Sequence, residues 1–314
     1  MISRSLVACL TLSATLISSA VYAGDPASCV KPRFSDVGWT DITATTQIAS
    51  QLLKSLGYKP DITVLSVAIT FQSLENGDID IFLGNWMPLQ EPTQGPLVKS
   101  GKIEVAATNL KDARIGFATS KDAYDAGLKT YADVARFKDQ LGGKIYGIEP
   151  GSGANATISK MIAGNTFDLG GFSLIESSEQ AMLAEVSHKI RQKQPVVFFG
   201  WQPHPMNVNL PMAYLEKGND IFGPNDGGAT VLTLTRPGYT KECPNVARLL
   251  SNLAFDSAME NRLMSDILDK GMEPAAAVRG WMKENPALLD KWLDGVTTVD
   301  DKPGPAAVKS GLGL

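Results

Sequence analysis

Three tryptophans share one setting in this sequence. Trp39 stands in Val37-Gly38-Trp39-Thr40-Asp41, Trp86 in Leu83-Gly84-Asn85-Trp86-Met87-Pro88 and Trp201 in Phe199-Gly200-Trp201-Gln202-Pro203-His204. Each comes one or two residues after a glycine, at the carboxyl end of a strand-like run. Indole faces are electron-rich, and several converging on one point attract a cation that cannot donate hydrogen bonds, which means a quaternary ammonium. Each face contributes on the order of 1 kcal/mol, more when dry, so three or four with a carboxylate reach about the 8 kcal/mol of micromolar binding. A lone tryptophan in such a place is more often a core residue or loop anchor, and it is the repetition that points to a cage. Trp281 and Trp292, beside Met282 and Leu293 in helical patterns, read as core.

Other chemistry has few possible centres. There are only two histidines, His188 and His204, for general acid–base work. Pro150-Gly151-Ser152-Gly153 resembles a nucleophile turn superficially but lacks the G-x-S-x-G spacing, and no lysine follows the glycines as a phosphate loop requires. An exported hydrolase is the enzyme alternative to a binding protein. Net charge is −4 and the basic residues are scattered, so neither a nucleic-acid footprint nor a polybasic membrane patch is present.

The cage residues need strands to deliver them, and the sequence supplies an alternation of strands and amphipathic helices typical of α/β proteins. Arg33 to Val37, Ile62 to Val67 and Ile79 to Leu83 read as strands. Between the first two lies a helix with Ile42, Ile48, Ala49, Leu52, Leu53 and Leu56 on one face, ended by Gly57. After a connecting stretch the pattern restarts with strands at Ile115 to Thr119, Lys144 to Ile148, Phe172 to Ile175 and Pro195 to Gly200. Beyond the strand Ala229 to Thr235 the chain is helical, a tail that cannot complete a second sheet and is expected to pack on the first unit. Two discontinuous α/β lobes joined by a two-stranded hinge follow: residues 24–112 and 211–314 form the first, residues 113–210 the second. The ligand cleft then lies between them, at the carboxyl ends of the strands.

At 314 residues the chain suits about two domains. Residues 1–23 read as a secretory signal peptide, with Arg4, an apolar run from Leu6 to Ile17, and Val21-Tyr22-Ala23 as the cleavage site. Their removal leaves 28 basic against 33 acidic side chains and two of the three cysteines. Cys29 and Cys243, an even pair in an exported chain, are expected to form a disulfide.

Together the Trp39, Trp86 and Trp201 motifs and Gly151-Ser152-Gly153-Ala154-Asn155 resemble those of periplasmic substrate-binding proteins for glycine betaine, choline and related compounds, which serve ABC importers. The choline-binding members are the most similar. The resemblance covers essentially the whole mature chain, in order. It implies a type II binding-protein fold that closes on a trimethylammonium group in an aromatic box, with Trp39, Trp86 and Trp201 at the box positions.

The same resemblance assigns the compensating charge to Asp41, which is also suited to cap a helix starting at Ile42. Asn155 matches a polar position that reaches a ligand hydroxyl, or else caps its helix. Tyr124 is the candidate fourth wall, with Phe117 and Tyr146 as substitutes. His204 occupies a position that can donate to a betaine carboxylate, or is a loop histidine between Pro203 and Pro205. Asp41 beside the cage disfavours such a carboxylate: at 4 Å and an effective dielectric near 20 the preference is about 4 kcal/mol before desolvation. The expected protein is a monomer that binds choline, with glycine betaine or proline betaine as the alternative. It needs no cofactor, metal or nucleic acid, and it delivers to a membrane permease.

Overall fold

The computed structural model describes residues 25–314, so the expected signal peptide lies outside the described residues. The chain first builds β1 (Arg33–Asp36), α1 (Thr40–Ser55), β2 (Asp61–Val64), α2 (Val67–Asn76), β3 (Ile81–Met87) and α3 (Glu91–Lys99). The long strand β4 (Glu104–Ser120) leads to α4 (Lys121–Asp125), α5 (Lys138–Leu141), β5 (Lys144–Tyr146), α6 (Gly153–Ala163), β6 (Ser173–Ile175) and α7 (Glu179–Arg191). Then come β7 (Val197–Gln202), α8 (Met206–Asn209), β8 (Met212–Tyr214), α9 (Pro224–Gly227) and β9 (Gly228–Thr235). The tail is α10 (Tyr239–Glu242), α11 (Pro244–Asn252), α12 (Ser257–Leu268), α13 (Pro274–Glu284), α14 (Pro286–Trp292) and α15 (Gly304–Leu312).

The strands run in the order β2-β1-β3-β9-β4-β7-β5-β6, with β8 also paired to β4. Pairing is parallel within β2-β1-β3 and within β7-β5-β6, and antiparallel where β9 and β4 join these groups. β4 and β9 are the two hinge strands. β4 pairs with β9 from Glu104 to Arg114 and with β7 from Arg114 to Thr119, and its register with β9 slips between Leu110 and Ala113.

Only the second half of β4 was expected as strand. Its first half is mostly polar or partly exposed, and it is extended because β9 supplies hydrogen-bond partners from far along the chain. After residue 211, β8 pairs with Ala118 to Ser120 and Phe222 packs on Phe117, Tyr131 and Phe199 before β9 begins at Gly228.

Two buried clusters hold the chain together, one within the first lobe and its helical tail and one that runs through the second lobe and on into the first. α1 is a 16-residue amphipathic helix whose Leu52 and Leu53, with Leu56 just beyond its end, pack with Leu249, Met282 and Leu293 of the tail, which closes the first lobe. Phe117, Ile145, Ile158, Met182, Val186 and Phe198 fill the second. Cys29 and Cys243 form a disulfide with Cα atoms 5.6 Å apart across 214 residues, pinning the start of the described chain to the turn before α11.

Closing so long a loop removes conformational entropy from the unfolded chain, at most about 5 kcal/mol in the chain-entropy account. The Cys29→Ser/Cys243→Ser variant is therefore expected to melt at a lower temperature than the oxidised protein in differential scanning calorimetry. An identical midpoint would show that the bridge contributes no stability.

Candidate functional site

The ends of β3 and β7, the start of α1 and the start of α6 surround a small cavity between the lobes. The first lobe contributes Trp39, Asp41, Trp86, Leu89 and Gln90. The second contributes Ile115, Ile148, Ser152, Gly153, Ala154, Phe199 and Trp201. Among the described residues, no lysine, arginine or histidine lines it. The structure thus brings the three expected tryptophans and Asp41 together, with each indole buried.

Local chemistry aims each ring. Asp36 accepts hydrogen bonds from the Gly38 N–H and the Thr43 hydroxyl, both at 2.8 Å, which holds a turn where Gly38 adopts φ +80°. A side chain is strained at that φ, so glycine is the residue that lets β1 turn directly into Trp39 and α1. The Trp39 Nε1–H donates to Glu149 Oε1 of the opposite lobe at 2.8 Å. Trp86 lies inside β3 rather than after it, and its Nε1–H donates to Asp41 Oδ2 at 3.0 Å. Trp201 stacks on Phe199, with ring centroids 5.8 Å apart, and meets the His204 ring edge-on at 4.9 Å.

Asp41 is the charged element of the cavity. It does not cap α1, because the helix begins at Thr40 and the cap position is Trp39, whose side chain makes no cap bond. Asp41 instead sits in the first turn, where the helix dipole favours an anion. Burial pushes its carboxyl up to about 7, helped by the field of Glu179 and opposed by the Trp86 hydrogen bond. Glu260, buried behind it on α12, is raised well above the carboxylate range by burial and by Asp41 itself. No basic side chain is among the groups acting on either carboxyl.

Three other expected residues lie elsewhere. Tyr124 is on the outer side of α4, its hydroxyl donating to Glu216 Oε1 at 2.6 Å, because Ser120 caps α4 and turns it away from the cleft. Neither Phe117, stacked on Tyr131 at 5.0 Å, nor Tyr146 lines the cavity. The remaining walls are the aliphatic Ile115 and Ile148 and the ring of Phe199. Asn155 is turned inward. Its Oδ1 accepts the Ile148 N–H and its Nδ2 donates to the carbonyls of Ile148 and Glu149 and to Glu176, so it holds the loop that presents Ile148 and Glu149. His204 Nδ1 accepts the Met206 N–H at 3.0 Å, which leaves the proton on Nε2, 3.2 Å from Glu179 Oε1. Both nitrogens are occupied and His204 does not line the cavity.

Several lining residues carried no readable signal in the sequence. Gln90 is buried with both amide atoms unpartnered among the described residues. Ser152 caps α6, its Oγ accepting the Asn155 N–H at 3.2 Å, which leaves its own proton free to donate. It has no histidine base, since His204 is committed and His188 pairs with Gln192 on exposed α7. Gly153 meets Leu89 of the other lobe so closely that a Cβ would stand 2.6 Å from the Leu89 carbonyl oxygen. Closure of the lobes at this point requires glycine.

Residues 33–284 match the family model of the substrate binding domain of ABC-type glycine betaine transport systems. Among solved structures, an ABC-transporter choline binding protein in complex with choline is 51% identical. Its TM-score is 0.90, covering 92% of this chain and 100% of that one. Lactococcal OpuAC in its closed-liganded conformation with glycine betaine is 27% identical, with a TM-score of 0.75 over 83% of this chain and 98% of that one. The glycine betaine/carnitine transport binding protein GbuC of Listeria monocytogenes is 28% identical over 162 residues, 52% of this chain and 53% of that protein. The match spans both lobes and all three tryptophans of the cavity, and this chain therefore belongs to the family of substrate-binding domains of ABC-type glycine betaine transport systems.

Proposed function

We propose that the protein is the receptor of an ABC importer and that its ligand is choline, held by Trp39, Trp86, Trp201 and Asp41. The observation that carries this reading is a cavity walled by three indoles and one desolvated carboxylate, with no cationic side chain. Trimethylammonium is a cation without hydrogen-bond donors, so it gains from aromatic faces and loses little by leaving water. The Gln90 amide and the Ser152 hydroxyl offer partners for choline's hydroxyl, the role first expected of Asn155. The 51% identical structure, itself a choline complex, supports the same ligand.

Ligand bridging Trp39 and Trp86 on one lobe and Trp201 on the other shifts the protein from open to closed, and the closed form docks on a membrane permease. With residues 1–23 as an export signal, the mature chain works in the periplasm, where the Cys29–Cys243 bridge is compatible with an oxidising compartment. Glycine betaine is the second reading. The observation in its favour is that the start of α6, Ser152 to Ala154, lines the cavity, and helix N-termini accept carboxylates.

Trp201→Ala is expected to weaken choline binding about ten-fold or more by titration calorimetry; an unchanged affinity would reject the cage. Asp41→Asn is expected to weaken choline more than glycine betaine, and equal losses would remove the charge argument. The sign of the pH dependence follows from the raised Asp41 carboxyl. Above about pH 7 it is ionised and ready for a cation, whereas below about 7 the cation must displace a proton. Choline affinity should thus fall about ten-fold from pH 8 to pH 6, the change expected of one titrating group. Asp36 and Glu149 are also raised by burial nearby, so the control is Asp41→Asn, whose profile should be flat. A slope retained in that variant would assign the titration to another group.

A further inference from the structure

We propose that Glu179 is a positioning residue that clasps the lobes together, a second-lobe carboxylate acting as the missing cap of the first-lobe helix that carries the cage. The inference rests on the cleft being a ligand site and adds the element that couples closure to assembly of that site.

α1 starts without a cap of its own. The side chain of Trp39, at the cap position, makes no capping hydrogen bond, and the first amides of a helix need acceptors. Glu179 supplies one for the first amide from 139 residues away. Its Oε2 accepts the Thr40 N–H at 3.0 Å, and its Oε1 accepts the Thr40 hydroxyl at 2.7 Å. Thr40 is 4% and Glu179 is 1% exposed, so water does not compete for these bonds.

The acceptor is placed at two helix starts at once. Glu179 is the first residue of α7, and its carboxylate also meets the start of α1, so the positive ends of both helices face one anion. The third donor is His204 Nε2, at 3.2 Å, from the turn that follows Trp201. One carboxylate therefore ties Trp39-Thr40-Asp41 on one lobe to Trp201-Gln202-Pro203-His204 on the other. The bonds to Thr40 exist only when the lobes meet, whereas the bond to His204 lies within the second lobe. Closure and cage assembly are then the same event.

Two variants separate this role from simple folding. Glu179→Ala removes the acceptor. Thr40→Pro removes both first-lobe donors without touching the Glu179–His204 contact, and proline is well tolerated at a first helical position. Association and dissociation of choline and of tetramethylammonium are measured by stopped-flow tryptophan fluorescence on the whole mature chain. Dissociation should quicken about ten-fold or more in each variant, as expected for loss of charge-assisted hydrogen bonds, with association unchanged. The double variant should be no faster than the worse single one, because both delete one contact.

Wild-type dissociation rates in both variants, or additive effects in the double variant, would overturn the clasp while leaving choline binding intact. Slowed association with unchanged dissociation would overturn it too, since that marks a damaged open state. Failure of the wild-type protein to bind either ammonium would instead overturn the ligand reading, and the clasp with it.

Discussion

A carboxylate taken out of water with no positive partner is the constraint around which this protein is arranged. Removing an ion from water costs several kcal/mol even after a protein relaxes around it, and Asp41 receives in return the Trp86 indole N–H and backbone N–H groups at the start of its own helix. The groups around it add to the cost: indoles keep it dry, and Glu179 and Glu260 are carboxyl groups of the same kind. Among the described residues around Asp41 there is no positive charge to hold the ionised form, so it either takes up a proton or meets a cation from outside. The proposed preference for a cation rests on what the cavity lacks as much as on what lines it.

The remaining architecture brings this incomplete site into being only when two lobes meet. Each lobe holds part of the wall, and each depends on the other for orientation, as Trp39 does on Glu149 and Thr40 on Glu179. Backbones touch where Gly153 faces Leu89, which fixes how near the lobes come. Indole rings, capping bonds and backbone contact reach their places together, so a half-closed molecule would have few of them.

Much of the site was legible in the sequence, and the part that was not has a common cause. The three tryptophans could be read because each is set by its own neighbours: a strand, a glycine and a turn. Asp41 lines the cavity but does not cap the helix, because the helix starts one residue before it. Tyr124, Asn155 and His204 have plausible local settings, yet their side chains are committed to Glu216, to the Ile148–Glu149 loop and to Glu179, partners 92, 7 and 25 residues away. Even the nearest of these depends on how a loop folds back, which residue types do not reveal. The first half of β4 escaped notice for the same reason, since its strand character is supplied by β9, more than a hundred residues later. The alternation of strands and helices, by contrast, is written in short-range periodicity, and α1, β2 and β7 fall close to where it predicts them.

The two hinge strands have a consequence beyond the cleft. β4 is hydrogen-bonded along its first part to β9, which in turn pairs with β3 of the first lobe, and along its second part to β7 and β8 of the second, and the β4–β9 ladder carries several register slips. Such a joint leaves the lobes few independent ways to move, so in the proposed closure the angle between their outer faces follows the filling of the cleft. A permease that touched both faces would then distinguish a loaded carrier from an empty one by shape alone, without contacting the cargo.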